Sequence, residues 1–218
     1  MQKENIYMNW FDKFKTEDWI CLLIKHPQFA DKCNKWRKFD AEDWGWLLRE
    51  QPLVADKCDW SKLNCWQWSR ILCEQPQFAG KCDKWDEFNA EDWRELLQAQ
   101  SQFADKCDKW DEFDAEDWSW LLCEQPQFAD KCDIWDKFDG VSWSWLLHKQ
   151  PQFADKCNGW YKFDGVDWSR LLCEQPQFAD KCDWRKLKRH ALNSLLQKQP
   201  QFADKLLYIS VSDGSNSK

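Results

Sequence analysis

Gln125-Pro126-Gln127-Phe128-Ala129-Asp130-Lys131-Cys132-Asp133 decides how the chain is read, because the stretch does not stand alone. Versions of it recur with the proline position at Pro27, Pro52, Pro76, Ser101, Pro126, Pro151, Pro176 and Pro200, at intervals of 24 or 25 residues. Self-similarity at one fixed period marks an array of one supersecondary unit. The shorter intervals lack a residue between Asp and Trp, as in Asp59-Trp60 and Asp183-Trp184 against Asp83-Lys84-Trp85. A one-residue indel at a fixed place marks a loop.

Working outward from that phrase, residues 36–58 give the unit. Asp40 precedes Ala41-Glu42-Asp43, then Trp44, Leu47 and Leu48 at helical spacing. Aspartate is a strong N-cap, and acidic residues suit a first turn. That predicts a helix A of about ten residues, stopped by Pro52 because the residue before proline leaves the α region. The same proline suits the first position of a short helix B, Pro52 to about Cys58. Trp85/Phe88 and Trp60/Leu63, three apart, predict a single helical or 3-10 turn between units. Nothing alternates with period two long enough to make a strand.

Each unit owns about eight apolar side chains that its neighbours must cover, as in a solenoid. The expectation is an all-α, elongated α-solenoid of about eight 24–25-residue two-helix repeats, with roughly 60–75 % helix. The alternative is a leucine-rich-repeat-like horseshoe, whose L-x-x-L-x-L signature is absent. One repeat domain spans 1–206, with caps in about 1–33 and 184–206, and 207–218 form a flexible polar tail. Thr16 marks where the first cap shifts, and Leu192 and Leu206 replace the usual Trp and Cys in the last unit.

The composition narrows function. The chain holds 19 Trp and 14 Phe but six Gly, with 32 % charged residues and a net charge of −7. That balance speaks against nucleic-acid and anionic-membrane partners, which want a basic surface. No apolar run is long enough to span a membrane, and Met1-Gln2-Lys3-Glu4-Asn5 carries no secretory h-region. Of the 12 Cys, Cys33, Cys58, Cys82, Cys107, Cys132, Cys157 and Cys182 share one column. Stacked units lie roughly 8–10 Å apart, whereas a disulfide wants Cα atoms within roughly 7 Å. No C-x-x-C or H-x-x-x-H spacing suggests zinc, although Cys73/Cys82, Cys123/Cys132 and Cys173/Cys182 are each nine apart. Most thiols are expected to be reduced, buried small hydrophobes in a cytoplasmic protein with no metal and no cofactor.

The phrases Asp-Trp-Ser-Lys-Leu-Asn (59–64) and Gln-Pro-Gln-Phe-Ala-Asp-Lys-Cys-Asp (125–133) resemble those of bacterial tandem-repeat proteins built from Trp-rich PQFADKCDW-type modules. The resemblance covers nearly the whole chain. It implies a repeat fold and carries no catalytic residue across.

Read against one another, the units vary in chemical class at three helix A columns. Two before the core Trp stand Glu17, Glu42, Trp66, Glu91, Glu116, Val141, Val166 and His190. Two after it stand Cys21, Trp46, Arg70, Glu95, Trp120, Trp145, Arg170 and Ser194. Five after it stand Ile24, Arg49, Cys73, Gln98, Cys123, His148, Cys173 and Gln197. At 100° per residue these lie roughly opposite the Trp/Leu/Leu stripe, so they predict one exposed face. Trp and Arg are the residue types enriched in binding hot spots. Trp46, Trp66, Arg70, Glu95, Trp120, Trp145, His148 and Arg170 are therefore the candidate partner-binding residues. Trp120 and Trp145 are expected about 10 Å apart, and Trp66 and Arg70 are placed for a cation–π contact. The partner class is an extended peptide or protein, possibly a second copy; sugars are a further use for exposed Trp. The competing reading is a structural or self-assembling spacer with no dedicated ligand. No nucleophile, Walker or dinucleotide motif occurs, so no enzyme is expected. The basic run Arg185, Lys186, Lys188, Arg189, His190 is expected to be a solvated cap face.

Overall fold

The computed structural model of the chain describes residues 10–205. Of these, 77 % are helical and none lies in a strand. A leucine-rich horseshoe needs a strand in every repeat, so the all-α, solenoid-like repeat stands and the horseshoe falls. Leu206 and the expected tail 207–218 lie outside the described residues, as do residues 1–9.

Every unit is built from the same parts. Eight ten-residue α-helices are α1 (Thr16–Lys25), α2 (Ala41–Glu50), α3 (Cys65–Glu74), α4 (Ala90–Ala99), α5 (Ala115–Glu124), α6 (Gly140–Lys149), α7 (Gly165–Glu174) and α8 (Arg189–Lys198). A 3-10 segment opened by the proline position follows each, such as Pro52–Lys57, and a three-residue 3-10 turn such as Trp60–Lys62 leads to the next helix. The expected helix B is thus a 3-10 helix, with bonds such as Cys58 N–H to Ala55 O at 3.2 Å. A six-residue segment opened by proline has few donors with an acceptor four residues back. The 3-10 geometry closes its bonds one residue sooner. The helical share exceeds the expected range slightly. The chain divides into two compact units, Met1–Lys109 with α1–α4 and Trp110–Lys218 with α5–α8. Within each, consecutive α-helices pack side by side.

The helix starts follow from the caps. Asp40, Asn64, Asn89, Asp114, Asp139 and Asp164 each accept from the backbone N–H three residues on. Asp43, Gln67, Asp92, Asp117 and Asp167 return the bond to the cap's own N–H, completing a capping box. At the first helix the cap position is Lys15 and Thr16 is already helical; α8 likewise starts after Lys188 with no side-chain cap.

The core columns are buried as the periodicity requires. Trp19, Trp44, Trp68, Trp93, Trp118, Trp143 and Trp168 are at most 1 % exposed, and the following Leu/Ile-Leu pairs of α2–α7 are fully buried. Each core Trp of α2–α7 stacks on the linking Trp of its own unit, at 5.3–5.7 Å. Burying one indole contributes about 4–6 kcal/mol by area. That outweighs the roughly 1–3 kcal/mol cost of the buried indole N–H groups of Trp19, Trp44, Trp68, Trp93, Trp143 and Trp168, which have no hydrogen-bond acceptor.

Between neighbouring units the Gln of Gln-Pro forms a ladder. Gln51, Gln75 and Gln100 in one unit of the chain, and Gln150, Gln175 and Gln199 in the other, each donate a side-chain amide to a helix carbonyl of the preceding repeat: Ile24, Arg49, Cys73, Cys123, His148 and Cys173. The second Gln of the phrase, Gln77, Gln127, Gln152, Gln177 or Gln201, donates to the first and holds its amide in place. Lys62, Lys162 and Lys186 similarly bridge pairs of carbonyls in the preceding repeat. Two glycines mark close approach of the next repeat: a Cβ on Gly140 would lie 2.7 Å from the Lys162 carbonyl, and one on Gly165 would clash with the Lys186 carbonyl.

Candidate partner-binding face

The helix spacing turns the variable columns into rows across successive helices, and the rows differ in depth. The row two before the core Trp is open, with Val141 and Val166 keeping 51 and 52 % of their surface and Trp66 50 %. In the row two after it, Trp46 keeps 49 % and Trp120 42 %, while Arg70, Glu95, Trp145 and Arg170 are half-buried. The row five after it does not belong to an exposed face as expected. Ile24, Arg49, Cys73, Gln98, His148 and Cys173 are half-buried and Cys123 is buried. The Gln ladder explains the difference, because it bonds to the carbonyls of this row and draws the next repeat over it.

In the second unit the expected open row of separate indoles is one continuous stack. Trp120 and Trp145 lie with ring centroids 5.9 Å apart at 29°, not about 10 Å. The correction is physical: facing side chains lean into the gap between helix axes, so rings meet although their backbones do not. Arg170 continues the stack, its guanidinium 4.6 Å from the Trp145 ring, and His148 meets Trp145 edge-on at 6.3 Å. The His148 Nδ1 is buried with no hydrogen-bond partner.

Arg170 is itself held. Its Nη1 donates to Ser144 Oγ at 2.8 Å and lies 3.5 Å from Asp167 Oδ1. Ser144 Oγ is also 3.4 Å from Asp167 Oδ1. Desolvation pushes the Asp167 carboxyl above its ordinary value, against the backbone N–H of Asp164 and the charge of Arg170, which pull it down. The first unit repeats the serine–carboxylate bond: Ser69 Oγ donates to Asp92 at 3.1 Å. These serines follow the core Trp directly. Sequence reasoning passed over that column, although its small residues, Gly45, Ser69, Ser119, Ser144 and Ser169, signal close approach of the next helix.

The first unit carries the predicted cation–π pair, with Arg70 5.7 Å from the Trp66 ring. Arg70 also pairs with Glu95 at 3.0 Å, and Arg49 with Glu74. Arg49, Arg70, Cys73, Glu74 and Glu95 line a groove across α2–α4. Trp46, Trp66, Arg70 and Glu95 thus belong to the first unit, and Trp120, Trp145, His148 and Arg170 to the second, where they form one cluster.

None of the twelve cysteines is in a disulfide, and all but Cys21 are buried or half-buried. Burial pushes the thiols of Cys73, Cys82, Cys123, Cys132 and Cys157 up to about 11 and those of Cys58 and Cys182 to about 12. Such thiols are protonated at neutral pH and make poor nucleophiles. Among the described residues no group of His, Cys, Asp and Glu is arranged to hold a metal ion, and no helix is long and apolar enough to cross a membrane. Compared with protein families, curated proteins and solved structures, the chain matches none.

Proposed function

We propose that the chain is a non-catalytic repeat scaffold that holds an extended polypeptide along the open rows of its α-helices. The observation that carries this reading is the recurrence of large apolar side chains at one outward column: Trp66, Val141 and Val166 are each about half exposed beside charged residues that occupy the same column elsewhere. Exposing such groups costs solubility, and apolar patches of this kind mark interaction sites. Adjacent helices lie roughly 8–10 Å apart and an extended chain rises about 3.3 Å per residue. Every third partner residue would therefore meet the same column of the next repeat. The reduced thiols fit a cytoplasmic setting, and kinship with bacterial PQFADKCDW-type arrays belongs to the same proposal.

A second reading, a spacer without a ligand, draws on the Trp120–Trp145–Arg170 stack, which satisfies its own aromatic faces within the fold. Screening an immobilised peptide array with the whole chain and with Val141→Glu/Val166→Glu separates the two. The scaffold reading expects peptides retained by the wild type and released by the variant at unchanged melting temperature. Equal retention, or none, favours the spacer.

A further inference from the structure

The turn and helix start of the α8 repeat carry positive residues where the α5 repeat carries negative ones. In the α5 repeat the turn and helix start read Asp111, Glu112, Asp114 and Glu116; the same positions of the α8 repeat are Arg185, Lys186, Lys188 and His190. Lys186 stands where Lys38, Lys62, Lys137 and Lys162 stand in other repeats, but Lys188 replaces the Asp or Asn that opens each of α2–α7, in a chain of net charge −7. At Lys188 the change works against the fold. Asp114 caps α5 by accepting from two backbone N–H groups, while Lys188 gives α8 no side-chain cap. Lys188 and Arg189 also stand at the positive end of the helix dipole. Local rules broken without a structural gain are a mark of functional positions.

These residues line a groove of about 500 Å³. Arg185, Lys188 and His190 border it on one side, and Lys162, Phe163 and Val166 on the other. Among the described residues, the one carboxylate on its wall, Asp164, is occupied: its Oδ1 accepts from the backbone N–H groups of Val166 and Asp167. Lys162 and Lys186 spend their ammonium groups on carbonyls, and Arg185 is paired with Asp183. Lys188 and His190 are exposed and have no protein partner among the described residues. The groove is also continuous with the open row, since Val141 on α6, Val166 on α7 and His190 on α8 are one column.

We propose that this groove receives the acidic end of an extended polypeptide, whose apolar side chains lie on Val141 and Val166 and whose carboxylates then reach Lys188. The inference rests on the scaffold reading above and gives the partner its chemistry: apolar residues at every third position, followed by a run of Asp or Glu. The positive groove supplies the charge complementarity, and the apolar approach to it favours a polypeptide over a nucleic acid.

Fluorescence anisotropy tests it with two labelled peptides, each bearing leucine at every third residue followed by either a run of glutamates or the same run of glutamines. The wild type should bind the glutamate peptide about tenfold more tightly, with the advantage shrinking as salt rises. Lys188→Asp should abolish that preference while melting no lower than the wild type, because it restores the α8 cap. Equal affinity for both peptides, or a preference that survives Lys188→Asp, overturns the inference. If Val141→Glu then weakens both peptides, the scaffold reading outlives it; if neither peptide responds to Val141→Glu, both fall. A labelled single-stranded DNA bound more tightly than the glutamate peptide, and lost in Lys188→Asp, would also overturn it in favour of a nucleic-acid site.

Discussion

Trp143 and Trp145 stand two positions apart on α6, and that offset puts the first in the core and the second into a ring stack. Trp143 is fully buried against Trp135 at 5.7 Å; Trp145 is half-buried between Trp120 and Arg170. Trp143→Ala should cost ~3–5 kcal/mol as a large-to-small core change. Trp145→Ala forfeits the ring contacts with Trp120 and His148 and one cation–π contact, about 1–3 kcal/mol together. Urea unfolding of the two variants checks the order, and equal losses would put Trp145 in the core. Asp167 gives a pH signature. Desolvation raises its folded pKa, so its contribution to stability is full below the ordinary carboxylate range and is lost as pH rises through the folded value. Asp167→Asn, which keeps an acceptor for the Asp164 N–H, should therefore gain on the wild type in urea midpoint between about pH 4 and pH 7. A constant gap would mean that Arg170 already compensates the buried charge. The division between Trp143 and Trp145 was legible from the 100° step. The stack was not, because the step gives a direction on one helix and no distance to the next.

Elements in this chain begin and end for local reasons that the residues announce: Asp or Asn at the cap, proline at the stop. Proline's position was legible, but the 3-10 character of the segment it opens was not, since period counting over six residues cannot separate three from 3.6 per turn. The Gln ladder joins one element to the next and decides which helix row is roofed. Gln175 donates to the His148 carbonyl at 2.8 Å and is itself steadied by Gln177. Gln175→Ala leaves that part-buried carbonyl without its donor and should cost about 1–2 kcal/mol. Gln177→Ala, which removes only the support, should cost less. Thermal melts of the pair check this, and reversed losses would show that the ladder is not what holds neighbouring repeats in register. The Gln column varies only at His26 in the first repeat, so a reading that sought function in variation passed over it.

At the scale of the molecule, repetition multiplies each local choice. One column of seven buried Trp and the raised thiols follow from one unit copied along the chain. With a thiol reagent at neutral pH, exposed Cys21 should react promptly, while the thiols that burial pushes up should wait for denaturant. Rapid reaction of most thiols in the native protein would contradict the packing of their column. The sequence by itself determined the period, the helix caps, the proline stops and the buried Trp/Leu columns, because each depends on contacts within a few residues of the chain. Only the tertiary structure decided that the rows differ in depth, that Trp120, Trp145 and Arg170 close into one stack, and that Val166 and the α8 start border one groove. Those outcomes depend on how closely one helix approaches the next, and that distance is set by Gly and Ser at the contact and by the Gln bonds across it, which no single unit contains.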